Sequence, residues 1–164
     1  MIAGHAAETA LLFAYGGLLA VAVVTDVAAL QIPDFVPLAL ALLFVPAALL
    51  SPAPVDWLSH VAAAAISLVV GIGLFAWGKL GGGDVKLIAA VALWHGLKLL
   101  PALVLSIGIA GGIAAILCVL LRWAGLGRCL AARGTDLVAL RAGADIPYAV
   151  AIAGAAGLLL LMPR

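Results

Sequence analysis

Seven carboxylates stand in this chain of 164 residues: Glu8, Asp26, Asp34, Asp56, Asp84, Asp136 and Asp145. Asp26 lies in the run from Leu18 to Leu30, which is apolar apart from Thr25 and Asp26 itself. A carboxylate in such a span costs about 2.5–3.5 kcal/mol at a helix centre and less near a helix end, so it marks a functional site by default. Asp84 closes Gly81-Gly82-Gly83-Asp84, just ahead of the largely apolar stretch Val85 to Leu97. An Asp in that place is a favoured helix cap, and the backbone dipole stabilises its charge. Capping and chemistry are compatible in one residue. Three successive glycines leave no Cβ between the backbone and whatever lies against it, so an extended peptide can be held there by main-chain hydrogen bonds. Two carboxylates brought close together cannot both ionise comfortably, so they share a proton and titrate as a unit. One then takes a proton from water while the other donates to a carbonyl oxygen, which is the acid–base chemistry of peptide hydrolysis. No rival constellation stands beside the pair: there is no GxSxG elbow, no HExxH and no cysteine with a partner histidine.

The elements that must position these residues are membrane helices. The chain is 68% hydrophobic and 9% charged, where a soluble domain carries about 25% charged residues. A chain this short cannot hide so much apolar surface in a water-facing globule. Six segments approach the roughly 20 apolar residues of a transmembrane helix: about 9–30, 35–51, 57–77, 85–100, 101–121 and 146–162. The expected fold is therefore an all-α membrane protein, a bundle of about six transmembrane helices forming one polytopic domain over residues 1–164. Pro33, Pro101 and Pro147 fall at or near helix starts, and Ser51-Pro52-Ala53-Pro54 makes a turn. Segments four and five are separated only by His95 to Pro101, so five spans with one broken or re-entrant segment is the other arrangement. With no Lys or Arg before Lys79, the first apolar stretch reads as a retained span rather than a cleaved signal.

The basic residues orient the bundle. With six spans, the loops after the first, third and fifth hold Lys79, Lys86, Arg122, Arg128, Arg133 and Arg141, against Lys98 and Arg164 opposite. The positive-inside rule then puts the odd-numbered loops in the cytoplasm. Asp26, at the end of the first span, and Asp84, at the start of the fourth, share that cytoplasmic depth and can face each other across the bundle. Residues 122–145 form a polar cytoplasmic loop whose arginines suit anionic headgroups; Asp136 and Asp145 read there as solvated. A net charge of +1 leaves no basic footprint for nucleic acid. Cys118 and Cys129 form no CxxC, the histidines at 5, 60 and 95 are scattered near helix ends as interfacial residues are, and no metal or cofactor is expected. Gly108, Gly111 and Gly112 read as a helix-packing face.

Gly81-Gly82-Gly83-Asp84-Val85-Lys86-Leu87, followed by Ala89-Ala90 and Leu93-Trp94, resembles the GxGD region of type IV prepilin peptidases. Thr25-Asp26 with Gln31-Ile32-Pro33 resembles that family's first aspartate and the Ile-Pro after it, and Asp145-Ile146-Pro147-Tyr148 resembles the start of its last helix. The resemblance is spread over most of the chain, in the family's order. It implies that Asp26 and Asp84 are a catalytic dyad that removes the short basic leader of a prepilin or pseudopilin at the cytoplasmic face of the inner membrane. It also implies kinship with the short branch, similar to tight-adherence (Flp) pilus and archaeal preflagellin peptidases. Larger members carry paired CxxC motifs in a cytoplasmic region and also methylate the new N-terminus; this sequence has neither, so methyl transfer is not implied. Where the family shows Asn after the first Ile-Pro, Asp34 stands here. Gly81, Gly82, Gly83, Asp34 and Lys86 are the candidate substrate-binding residues: Asp34 offers attraction for a Lys/Arg leader, and Lys86 either bears on the charge of Asp84 or carries its amine to the headgroups.

Two other classes of function use the same residues differently. A small ion- or proton-coupled transporter would place its cation on Asp26, without accounting for glycines beside a second Asp. A non-catalytic scaffold would tolerate Asn at both aspartates. Neither the substrate's identity nor an oligomeric state is written in the sequence.

Overall fold

The computed structural model describes residues 2–126, 132, 134, 137–141 and 144–160. Helices α1 (Ile2–Ala29), α2 (Phe35–Leu49), α3 (Trp57–Ala76), α4 (Gly82–Trp123) and α5 (Ala149–Leu160) carry the fold, with one 3-10 turn at Val138–Leu140 and no strand among the described residues. Ala7–Ala29, Trp57–Ala76 and Gly82–Trp123 are each long and apolar enough to cross a bilayer, and Phe35–Leu49 and Ala149–Leu160 are shorter apolar helices. Their outer faces show Phe13, Leu58, Val69 and Trp123 to the surroundings. That distribution suits lipid, because a helix apolar on all sides is a buried or membrane helix.

Helix boundaries follow local chemistry. Helix α1 ends where Leu30 adopts a positive φ of 53°, and Gln31-Ile32-Pro33 leads into α2, whose Val36 N–H donates to the Pro33 carbonyl at 3.0 Å. Asp56 caps α3 by accepting from the Ser59 N–H at 3.2 Å. Helix α5 starts two residues after Pro147. The core joins α1, α2, α4 and α5 through Tyr15, Leu19, Leu40, Phe44, Val91 and Ile152, and the Trp94 indole N–H donates to the Leu40 carbonyl at 2.9 Å.

Helix α4 is a hairpin of two arms. Gly96 sits at φ 69°, ψ 177°, inside an otherwise helical stretch. Asp84 stands at one end of the bundle, and Gly111 packs at that same end against Tyr148, the neighbour of Ala149 whose N–H reaches Asp26. A straight helix would separate residues 84 and 111 by about 40 Å. Residues 82–95 therefore run away from the carboxylates and residues 97–123 run back. The break is closed by α3: the Leu97 N–H donates to Ser59 Oγ at 3.0 Å, and His60 donates through Nδ1 to the Leu93 carbonyl at 2.7 Å. Backbone irregularity at membrane depth is tolerated only when protein groups satisfy it in this way.

Several expectations change here. The boundary between the fourth and fifth segments falls at Gly96, five residues before Pro101, because the φ of Gly96 rather than the missing proline N–H turns the chain. His95 is not interfacial: it is buried, with Nδ1 2.9 Å from the Val91 carbonyl and Nε2 3.3 Å from the Ala156 carbonyl. Within the chain only Gly111 of the three glycines makes a close contact, with the Tyr148 ring; a Cβ on Gly108 or Gly112 would meet nothing within 4 Å. Gly127, Arg128, Cys129, Arg133, Asp136, Gly143 and Arg164 lie outside the described residues.

Gly96→Ala tests the hairpin. Its φ and ψ are in a region open essentially to glycine, where another residue costs about 1–3 kcal/mol. The added Cβ would also stand 3.2 Å from Ser59 Oγ and 3.4 Å from the His60 ring. A clear drop in the melting temperature of the purified protein in detergent is expected; an unchanged melting temperature would mean that the chain does not turn on this residue.

Candidate active site

Asp26 occupies the last turn of α1, where the helix dipole disfavours a negative charge. The N-terminus of α5 offsets this: the Ala149 N–H, at the first position of that helix, donates to Asp26 Oδ2 at 2.8 Å. Such an N–H has no partner within its own helix, so the bond satisfies a donor and an acceptor together. Asp26 is only 6% exposed. Thr25 turns away, its hydroxyl donating to the Val21 and Ala22 carbonyls of its own helix at 2.9 and 3.1 Å.

Asp84 is the third residue of α4, after the N-cap Gly81. Its carboxylate folds back onto the Gly81 amide, the geometry by which an acidic residue at that position satisfies the N-cap N–H. Capping and site membership thus coincide. Asp84 Oδ2 lies over Gly81, 2.8 Å from where a Cβ on that residue would stand, while Oδ1 is buried without a hydrogen-bond partner. Asp84 lies close enough to Asp26 to feel its charge.

Both aspartates line one cavity of about 330 Å³ together with Leu30, Gln31, Ile32, Asp34, Gly81, Gly82 and Gly83. The sequence-derived candidates Asp26, Asp34, Asp84 and the three glycines are thereby brought together. Lys86 is not among the lining residues; its ammonium pairs with Asp34 Oδ1 at 2.7 Å on the rim. Sequence reasoning missed the Ala149 amide and the lining role of Leu30, Gln31 and Ile32. A backbone donor has no side-chain signature, although Pro147 just before a helix start pointed to free N–H groups nearby. A second cavity of about 360 Å³ lies at the other end of the bundle, between Glu8, Phe44, His60 and Trp94. It holds one carboxylate among its described lining residues, and so no acid pair.

The glycines differ in what they permit. A Cβ on Gly81 would stand 2.8 Å from Asp84 Oδ2, and one on Gly83 would stand 3.1 Å from Ile32 Cβ. A Cβ on Gly82 would make only ordinary contact with the Phe75 ring, 3.5 Å away. A Cβ at the first glycine thus displaces the movable carboxylate of Asp84, one at the third presses on Ile32, and the middle position is open. The profile of the type IV leader peptidase family matches residues 13–116, a range holding both aspartates and all three glycines.

The chain belongs to the type IV leader peptidase family. With its apolar helices, membership makes this leader peptidase a multi-pass membrane protease. Comparison with curated proteins and with solved structures found no match in either.

The three glycines give a graded expectation for this family member. Gly81→Ala displaces only the end of a flexible carboxylate, so it should cut proteolysis sharply with little loss of thermal stability. Gly83→Ala presses on Ile32 and should lower both, whereas Gly82→Ala should retain activity. Measuring cleavage and melting temperature for the three variants checks the order; equal losses at Gly81 and Gly82 would contradict it.

Proposed function

We propose that this chain is an aspartyl endopeptidase that uses Asp26 and Asp84 to remove the short basic leader of a type IV prepilin-like protein at the cytoplasmic face of the inner membrane. The observation that carries the reading is the single cavity that gathers both carboxylates and the three glycines from helix ends far apart in sequence. One carboxylate, ionised, takes a proton from a water molecule as its oxygen attacks the scissile carbonyl carbon. The other, protonated, gives its proton to the carbonyl oxygen. Collapse of the tetrahedral intermediate breaks the C–N bond, and a proton passes to the leaving amine. Asp26 is held by one oxygen at the Ala149 amide, and Asp84 is folded back over the start of its own helix beside Gly81. The buried, unpartnered Asp84 Oδ1 is then the atom left to exchange a proton with substrate or water.

Glycines 81–83 give an extended segment a wall free of side chains to lie against, and the substrate's apolar helix would dock laterally from the bilayer. The cytoplasmic placement rests on charge. Lys79, Lys86, Arg122 and Arg141 gather at the carboxylate end, while Lys98 follows the Gly96 break at the other, as the positive-inside rule requires of a cytoplasmic end.

Co-expression with a tagged prepilin tests the dyad by gel shift. Wild-type protein is expected to remove the leader, while Asp26→Asn and Asp84→Asn should each abolish removal with membrane insertion intact. Full cleavage by either variant would refute the dyad.

A further inference from the structure

Asp34 is the N-cap of α2, yet its carboxylate makes no capping bond to that helix. It reaches instead across the cavity mouth to the Lys86 ammonium, 52 residues on, at 2.7 Å. The two groups come from opposite walls: Asp34 from the turn that follows Asp26, and Lys86 from the turn of α4 that follows Asp84. Three carboxylates, Asp26, Asp34 and Asp84, line the cavity, and no Lys, Arg or His is among its described lining residues. Lys86 is therefore a cation of this chain parked on the one lining carboxylate that reaches well into solvent. The pair is open to solvent, with Asp34 77% and Lys86 53% exposed. Ion pairs exposed to this degree are weak, because water and salt screen them and two side chains must be held still. A second cation arriving at the cavity can displace Lys86 at little cost, and Lys86 has a long flexible stem on which to swing away.

Building on the reading of the cavity as a peptidase site, we propose that Asp34 is the leader-recognition residue of this chain and that Lys86 is its built-in competitor. A Lys or Arg flanking the scissile bond exchanges with Lys86 on Asp34 as the segment enters. The exchange discriminates in two ways. A leader with a cation regains the ion pair it opens, whereas a neutral leader must either leave the pair closed across the mouth or break it without compensation. Lys86 thus sets the threshold of positive charge that a substrate must carry.

The test uses a purified prepilin that the wild-type protein cleaves, in two forms: with its basic leader, and with the leader's Lys and Arg changed to Gln. The readout is the ratio of kcat/KM for the basic form over the neutral form. In wild type this ratio should lie well above one. Asp34→Asn should bring it close to one, and Lys86→Met should raise it severalfold, because Asp34 is then unoccupied before substrate arrives. High salt should compress the ratio in wild type and in Lys86→Met, since the discriminating contact is an exposed ion pair. If the pair is only a structural clamp between the two walls, both variants will lose activity on both leaders by the same factor and keep the wild-type ratio, which overturns the proposal. Failure of wild type to cleave any prepilin removes the peptidase reading and this proposal with it; cleavage with an unchanged ratio in Asp34→Asn removes this proposal alone.

Discussion

The bond from the Ala149 N–H to Asp26 Oδ2 is the contact on which the rest of the arrangement depends. A carboxylate in an apolar bundle has no water shell, and leaving it unpaired is costly enough that such residues are rare in membrane helices. Asp26 is worse placed than most, since it sits in the last turn of its own helix, where the exposed carbonyls carry partial negative charge. Only a donor brought from elsewhere can hold it. The N-terminus of α5 supplies that donor, and with it a partial positive charge. The requirement fixes the geometry of the whole site end: the last turn of α1 must meet the first turn of α5 at 2.8 Å.

Helix α4 then completes the site by a different device. Its first turn folds its own carboxylate, Asp84, back over Gly81 at the helix start. The two aspartates are thus placed independently, Asp26 by a tertiary hydrogen bond and Asp84 by the local fold of its helix start. The glycines allow this close meeting of elements. Gly83 lets the start of α4 approach Ile32 in the turn after α1, and Gly81 leaves room for the carboxylate to fold back. Across the same mouth, Asp34 and Lys86 join the two walls through the exposed pair.

Parts of this were legible in the sequence, and the reasons differ residue by residue. Composition alone settled the solvent, and apolar runs placed the helices, because lipid demands length and hydropathy from each span separately. Asp26 and Asp84 stood out since a carboxylate beside or within such a run is expensive. The glycine triplet drew notice as a close-approach motif, but that its first and third members are constrained and its second is not depends on where Asp84 Oδ2 and Ile32 lie. The stretch His95 to Pro101 marks a break in the sequence, but nothing in it singles out Gly96. A glycine in an apolar stretch is unremarkable in sequence, and its conformation is imposed by Ser59 and His60 from a different helix. The Asp34–Lys86 pair was hidden for a similar reason: separation by 52 residues leaves no pattern that local spacing can detect.

The hairpin in α4 connects the depth of the site to the polar residues at the far end. Its first arm, residues 82–95, is about 21 Å long at 1.5 Å per residue. A bilayer's hydrocarbon core is about 30 Å thick, so both ends of this arm cannot reach water unless the membrane thins around it. The exposed Asp34–Lys86 pair ties the start of the arm to the aqueous side. The Gly96 turn is then the end that falls within the apolar region, and there each freed backbone group needs a protein partner. That requirement explains why Ser59, His60 and His95 gather in an otherwise apolar bundle: the Ser59 hydroxyl accepts from the Leu97 N–H, and His60 donates to the Leu93 carbonyl. Lys98, two residues beyond the turn and exposed, can reach the headgroups along its aliphatic stem.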